Sequence, residues 1–168
     1  MTLLKGRPVT QKRLLLLSLV GVLLLAGGWW FRPERAFIDH SVAEPVPAGT
    51  ASVLLVGQFE SRAHESRGRA YVLDLGAEGR VLRFDDFETL NGPDLQVYLL
   101  GSAATSGRDD LETFGYVSLG ALKGNLGPQN YRIPDGVELS RYPAVSVWCR
   151  RFGVNFATAI LVSPASGS

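Results

Sequence analysis

Hydrophobic residues follow two different patterns along this chain. Between Leu14 and Phe31 they form a run without a charged residue, and as a helix these 18 residues would span roughly 27 Å, enough to cross a bilayer core. Beyond Ala51 they occur in short, often alternating runs separated by turn residues. The sequence therefore predicts one transmembrane helix over 14–31, followed by an all-β domain over 51–162.

The charges that flank the apolar run predict its orientation. The charged residues that precede it are all basic, namely Lys5, Arg7, Lys12 and Arg13. Because positive flanks stay in the cytoplasm, residues 1–13 are expected to be cytoplasmic and the β-domain extracytoplasmic. A cleaved signal peptide is the alternative. The run is longer than a usual signal core and ends in bulky aromatic residues, which favours a retained single-pass anchor in the cell membrane.

Proline and small residues mark the segments on either side of the β-domain. Residues 32–50 contain Pro33, Pro45 and Pro47 with mixed charge, which predicts a semi-extended stalk. The last six residues, 163–168, are small and polar and are expected to be disordered.

About eight strands are expected in the β-domain, since turn residues such as Gly, Asn, Pro and Asp separate its apolar runs. No stretch has a helical period long enough to predict a helix there. Strands at this spacing favour an antiparallel β-sandwich or a barrel-like fold. They are predicted near Ser52–Phe59, Arg69–Leu75, Arg80–Phe84, Leu95–Leu100, Tyr116–Leu119, Tyr131–Ile133, Ala144–Arg151 and Asn155–Val162.

The faces of two strands can be assigned, because successive side chains of a strand point to opposite sides of the sheet. Leu95, Val97 and Leu99 share one face of the fourth strand. In the seventh strand, Cys149 shares a face with two valines, and Trp148 lies on the other. Cys149 is therefore expected to point into the core.

Composition excludes several classes of function. The part beyond the anchor has thirteen basic and sixteen acidic residues, a net charge of −3, so it offers no basic surface for nucleic acid. A single cysteine permits no intrachain disulfide. The ligand patterns of structural zinc, blue copper and covalently attached haem are missing, as are phosphate-binding loops and the hydrolase elbow.

Two interpretations of Cys149 stay open from the residues alone. His64, in a polar stretch between two strands, could hold a neighbouring cysteine as a nucleophilic thiolate. Equally, Cys149 could be a small buried hydrophobe and His64 a solvated loop residue. In the acidic run 85–94, a tight turn in which Asp94 caps backbone donors is favoured over a cation site.

Two motifs resemble those of a known family. The first joins Phe84-Asp85-Asp86-Phe87 to Asn91-Gly92-Pro93-Asp94 and the following strand, and the second is Trp148-Cys149-Arg150-Arg151-Phe152, followed by Phe156. Together they resemble the DM-thirteen (DM13) domain, called the electron-transfer DM domain. The likeness covers most of Val53–Leu161 and includes His64.

The resemblance implies an all-β module with a redox role centred on the family's cysteine, which matches Cys149. It also implies that this cysteine acts as a free thiol or holds a prosthetic group such as haem, with His64 as a speculative second cofactor ligand. A redox protein of the cell envelope is the expected partner. The alternative, from the residues, is a non-catalytic binding or scaffold module in which Cys149 only packs in the core.

Overall fold

The computed structural model describes residues 11–31, 38–48 and 52–164, with side chains of the first segment described for residues 11–24 only. The chain divides into two compact units after Glu34. Several predictions lie outside the described residues: most of the cytoplasmic N-terminus (1–10), part of the stalk (32–37 and 49–50), the first residue of the β-domain (51), the tail beyond Pro164 and the side chains of residues 25–31 in the predicted anchor.

The first unit contains one helix, α1, Gln11–Phe31. It is apolar on all its sides rather than amphipathic, and the side chains of Leu14 to Leu17 are more than half exposed. Among the described residues, no helix combines the length and the hydrophobicity needed to cross a membrane.

The second unit is built on eight antiparallel strands, which confirms the predicted all-β class. In chain order they are β1 Ser52–Ser61, β2 Ser66–Asp74, β3 Arg80–Thr89, β4 Leu95–Leu100, β5 Tyr116–Ala121, β6 Gln129–Ile133, β7 Ala144–Cys149 and β8 Val154–Ile160. They form one sheet in the order β5-β4-β7-β8-β1-β2-β3-β6. The two end strands, β5 and β6, approach each other, so the sheet is a nearly closed barrel.

Alternation along the strands places one side-chain set inside this barrel. Leu95, Val97 and Leu99 of β4 join Val145, Val147 and Cys149 of β7 in the main core, as predicted. The opposite faces of both strands are buried too, because a short helix, α2 (Arg108–Phe114), covers them. Tyr98 and Trp148 form a second small core there with Leu111 of α2. The sequence did not predict α2, since seven residues are too short for a clear helical period.

Residues 38–48, which the sequence assigned to the stalk, belong to the same compact unit as the strands. We call this segment the strap. It is hydrogen-bonded along the barrel. The N–H of Val42 donates to the Leu126 carbonyl at 2.8 Å, and that of Glu44 donates to the Pro128 carbonyl at 3.0 Å.

A buried guanidinium lies beneath the strap. Arg83 of β3 is only 6% exposed, and its Nη1 donates to the carbonyl oxygens of Glu44 and Pro45, each at 3.2 Å. Its Nη2 donates to Asp85 at 3.0 Å. Burying a charge is costly unless it is paired and hydrogen-bonded, so the strap completes a site that the strands alone leave open.

Candidate functional site

Cys149 ends strand β7 inside the barrel. Its residue is fully buried and its thiol is free. In the sheet it pairs with Leu95 of β4 on one side and with Val154 of β8 on the other. The structure thus places the thiol in an apolar core, as the alternation of the strand predicted.

Three turns meet around this cysteine and form what we call the cysteine end of the barrel: residues 62–65, 90–94 and 150–153. The N–H of Arg62 donates to the Phe156 carbonyl at 2.9 Å, which joins the first turn to β8. The N–H of Arg150 donates to the Asp94 carbonyl at 3.0 Å, which joins the other two. Residues far apart in sequence therefore surround one end of β7.

Phe156 closes the cysteine end from inside. It is 4% exposed and belongs to the same core as Cys149. The ring of His64 packs on it, with 4.0 Å between the centroids. Gly92 lies on another side of the Phe156 ring. A Cβ added at Gly92 would be 3.1 Å from Phe156 Cζ and 2.8 Å from Leu95 Cδ2. Glycine at position 92 lets the β3–β4 turn approach this ring closely.

The Asn91-Gly92-Pro93-Asp94 motif holds the cysteine end together. Asp94 accepts hydrogen bonds from Arg150 Nε at 2.8 Å and from Gln96 Nε2 at 2.8 Å. We expected Asp94 to cap backbone donors, but its described partners are side chains, because β3 continues to Thr89 and places Asp94 opposite Arg150. Asn91 donates to Asp39 and to the carbonyl of Ile38, so the motif also fastens the strap.

The predicted pair of Cys149 and His64 is brought to the same end of the barrel but not into contact. His64 is half-buried on Phe156, and no hydrogen bond joins it to Cys149 in the described part of the chain. A nucleophilic thiol activated directly by histidine would need such a bond. His64 packs on Phe156, which belongs to the same core as Cys149.

A haem does not fit beside Cys149 in this packing. An iron ligand must face space for the porphyrin, whereas Cys149 faces the packed side chains of the core. Cys149 lines none of five surface clefts formed by the described residues of the domain. No three His, Cys, Asp or Glu side chains among the described residues are grouped so that they could hold a metal ion.

The fold and its site define a class: a small antiparallel barrel that buries one cysteine at the end of a central strand. A family profile described as electron transfer DM13 matches residues 58–161, more than half of the chain. The chain therefore belongs to the DM13 family, as the motifs predicted. No curated protein and no solved structure matches it.

Two parts of the site escaped the sequence analysis. The first is the strap, which is held to this end by Asp39. The Asp39 carboxylate accepts one hydrogen bond from Asn91 Nδ2 and another, at 2.9 Å, from Asn125 Nδ2. The second is α2, which carries Arg108 to the turn after Cys149, where its Nη2 donates to the Arg150 carbonyl at 3.3 Å. A capping signal marks α2, since Asp110 accepts hydrogen bonds from the N–H groups of Ser106 and Gly107.

Proposed function

We propose that this chain is a redox module in which the thiol of Cys149 exchanges with a disulfide of another envelope protein. The membership in the electron transfer DM13 family carries the redox role. Cys149 is the only cysteine of the chain and lies within the matched residues, at the barrel end where both family motifs meet. It is therefore the group to which we assign the redox step.

The step is a thiol–disulfide exchange. The Cys149 thiol loses its proton to water, and the thiolate attacks one sulfur of the partner's disulfide. A new S–S bond joins Cys149 to the partner, the old S–S bond breaks, and the second sulfur leaves as a thiolate. A small thiol then attacks Cys149 of the mixed disulfide and releases the partner as its dithiol. A second small thiol attacks the disulfide that Cys149 now forms with the first, which restores Cys149 and releases the two small thiols as their disulfide, so they supply the two electrons.

Burial of the thiol requires that the cysteine end opens before the exchange. Phe156, His64 and Gly92 are the contacts that must separate, because they cover the core at this end. The β1–β2 turn that carries His64 is exposed on both sides of it. A local opening of this turn and Phe156 exposes the thiol without unfolding the whole barrel.

The experiment is native thiol labelling of the full chain with an aromatic disulfide reagent, which releases one coloured thiolate for each thiol that reacts. We expect reaction faster than global unfolding allows, and no reaction in Cys149→Ala. Phe156→Leu should speed the labelling by more than its loss of global stability accounts for.

Phe84→Leu is the matched control, since Phe84 is buried in the same core but lies in the middle of β3. It should change labelling only in proportion to global stability. If the labelling of every variant follows global unfolding alone, the thiol is structural and the redox assignment to Cys149 fails.

We further propose that α1 anchors the chain in the cell membrane, with the DM13 domain on the extracytoplasmic side. The uncharged run 14–31 and the basic residues before it support this assignment. Carbonate extraction tests it, because an integral anchor stays in the membrane pellet at high pH. Leu19→Arg should weaken that retention, and release of the unaltered chain would contradict the anchor.

A second candidate function is a binding or scaffold module of the envelope. The packing of Cys149 between Leu95 and Val154 favours it, because a thiol there can act as a small hydrophobe. Cys149→Val separates the two functions. Loss of partner-disulfide reduction with retained stability supports the redox module, whereas unchanged partner binding and unchanged reduction support the scaffold.

A further inference from the structure

A cleft lies on the outer face of the sheet, on the side of β7 opposite Cys149. Its volume is about 150 Å³. Aromatic rings of Tyr98, Tyr116 and Trp148 form one wall, and the rings of Tyr98 and Tyr116 stand 4.6 Å apart between centroids. Arg108 and Arg150 line it as well. This combination occurs where α2 folds back over β4 and β7.

The hydroxyl of Tyr98 has no protein partner there. Tyr98 is 4% exposed, and no hydrogen bond joins its oxygen to any described residue. Every fully buried side-chain nitrogen or oxygen of the described chain has a partner, so this oxygen must reach the cleft. Burial, and then the neighbouring Tyr116, raise the pKa of Tyr98, so the hydroxyl stays protonated and is available as a donor.

The two arginines differ in how their charge is balanced. Arg150 pairs with Asp94 at 2.8 Å. Arg108, within the described residues, has no carboxylate within ion-pair distance and uses one N–H for the Arg150 carbonyl. Glu112, one turn further along α2, also lines the cleft and is its only carboxylate. Donors therefore outnumber acceptors at this site.

We propose that this cleft binds a small planar carboxylate, whose oxygens accept hydrogen bonds from Arg108 and Tyr98 while its ring packs on the aromatic wall. Guanidinium groups recognise carboxylates through paired N–H donors and also pack on rings. The volume suits a ligand of one ring. The cleft lies on the face of β7 opposite the thiol, and it shares Arg108 and Arg150 with the turn that follows Cys149.

Isothermal titration of the full chain in lipid nanodiscs with benzoate tests the proposal, with empty nanodiscs as the blank. We expect saturable binding, about tenfold weaker in Arg108→Gln and in Tyr98→Phe, because each loses a hydrogen bond to a charged group. Glu112→Gln should bind more tightly, since it removes the opposing charge. Arg132→Gln is the control, because Arg132 lies on β6 away from the cleft.

Two comparison ligands test whether binding requires a planar ring. Cyclohexanecarboxylate and inorganic phosphate carry negative charge without a flat ring, and both should bind more weakly than benzoate. Binding that fails to saturate, or that Arg108→Gln and Tyr98→Phe leave unchanged, would overturn the site. Equal binding of phosphate and benzoate would overturn the assignment to a planar carboxylate. Thermal unfolding of each variant verifies that the domain is folded.

Discussion

The surroundings of Cys149 and of Arg83 are opposites within one small barrel. Cys149 is enclosed by apolar side chains such as Leu95 and Val154, and its removal leaves no polar group without a partner. Arg83 is almost as deeply buried, but it depends on the carbonyls of Glu44 and Pro45 in the strap. From these contacts we expect stability to tolerate an apolar replacement of the cysteine but not the loss of the strap.

This difference bears on function. A small apolar residue could fill the position of Cys149 at little cost, so the thiol itself is not what the core requires. The strap residues lie before the stretch matched by the family, which begins at residue 58. A segment before the matched residues therefore satisfies a buried charge of the matched domain, whereas the thiol inside the matched domain satisfies no polar group.

Replacing the strap should have the largest effect. A chain in which residues 38–48 become a Gly/Ser linker of equal length would leave Arg83 paired with Asp85 but without its two strap carbonyls. We expect a loss of about 5 kcal/mol in the free energy of unfolding, because two hydrogen bonds to a buried charge are lost and each is worth about 1.5–3 kcal/mol. Urea denaturation measures it, and Arg83→Met in the same background should recover part of the loss.

The rescue by Arg83→Met separates two explanations of why the strap stabilises the barrel. If the strap matters because it satisfies Arg83, an apolar side chain at position 83 no longer needs it. Equal losses with and without Arg83→Met would show instead that the strap stabilises through its other contacts, such as those of Asp39 with Asn91 and Asn125.

Phe156→Ala should have the next largest effect, about 3 kcal/mol or more, the usual cost of truncating a buried phenylalanine. The ring fills space between His64, Gly92 and Leu95, so a cavity opens at the cysteine end. Chemical denaturation measures the loss. His64→Ala should cost much less because His64 is only half-buried, and equal losses would mean that histidine, not the phenylalanine, closes this end.

The fold was largely predictable, because strand alternation is a local signal. All eight strands and the inward position of Cys149 follow from side-chain parity and turn residues. The strand β3 extends five residues beyond its predicted end, since the acidic residues Asp85, Asp86 and Glu88 lie in the strand as well as near a turn. Because one side of this strand is exposed, polar residues occur within it and do not mark where it ends.

The site was less predictable, because its contacts join distant segments. No sequence pattern predicts the contact of Asn91 with Asp39 or that of Arg83 with Glu44. The sequence of a proline-containing segment also does not distinguish a free stalk from a segment docked on the barrel. Position 92 is different, since the glycine of the family motif is explained by the close approach of Phe156. The sequence thus showed which residues matter there before it could show why.

Cys149→Val should have a small effect on stability, below about 1.5 kcal/mol, as expected for a hydrophobic replacement of similar volume in a core. Cys149→Ser should cost more, since it buries a hydroxyl among apolar side chains. Thermal unfolding compares the two. A serine variant as stable as the wild type would place a polar partner near the thiol and would contradict the apolar surroundings described above.

The smallest effect concerns pH and the strap. Burial raises the pKa of the Glu44 carboxyl, but hydrogen bonds from Lys123 Nζ at 2.6 Å and from the Asn130 N–H at 2.7 Å outweigh it, so the pKa lies below the ordinary 4.5. Because the folded-state pKa is lowered, this stabilisation is complete above the unfolded value and is lost as the pH falls through the folded one.

Glu44→Gln should therefore reduce stability at neutral pH, and the difference between variant and wild type should shrink as the pH falls below about 4.5, near the unfolded-state pKa of glutamate. Urea denaturation at a series of pH values measures it. Asp135→Asn is the control, since Asp135 forms an exposed pair with Arg132 away from the strap. A Glu44→Gln difference that persists unchanged at low pH would show that shape, not charge, holds this part of the strap to β6.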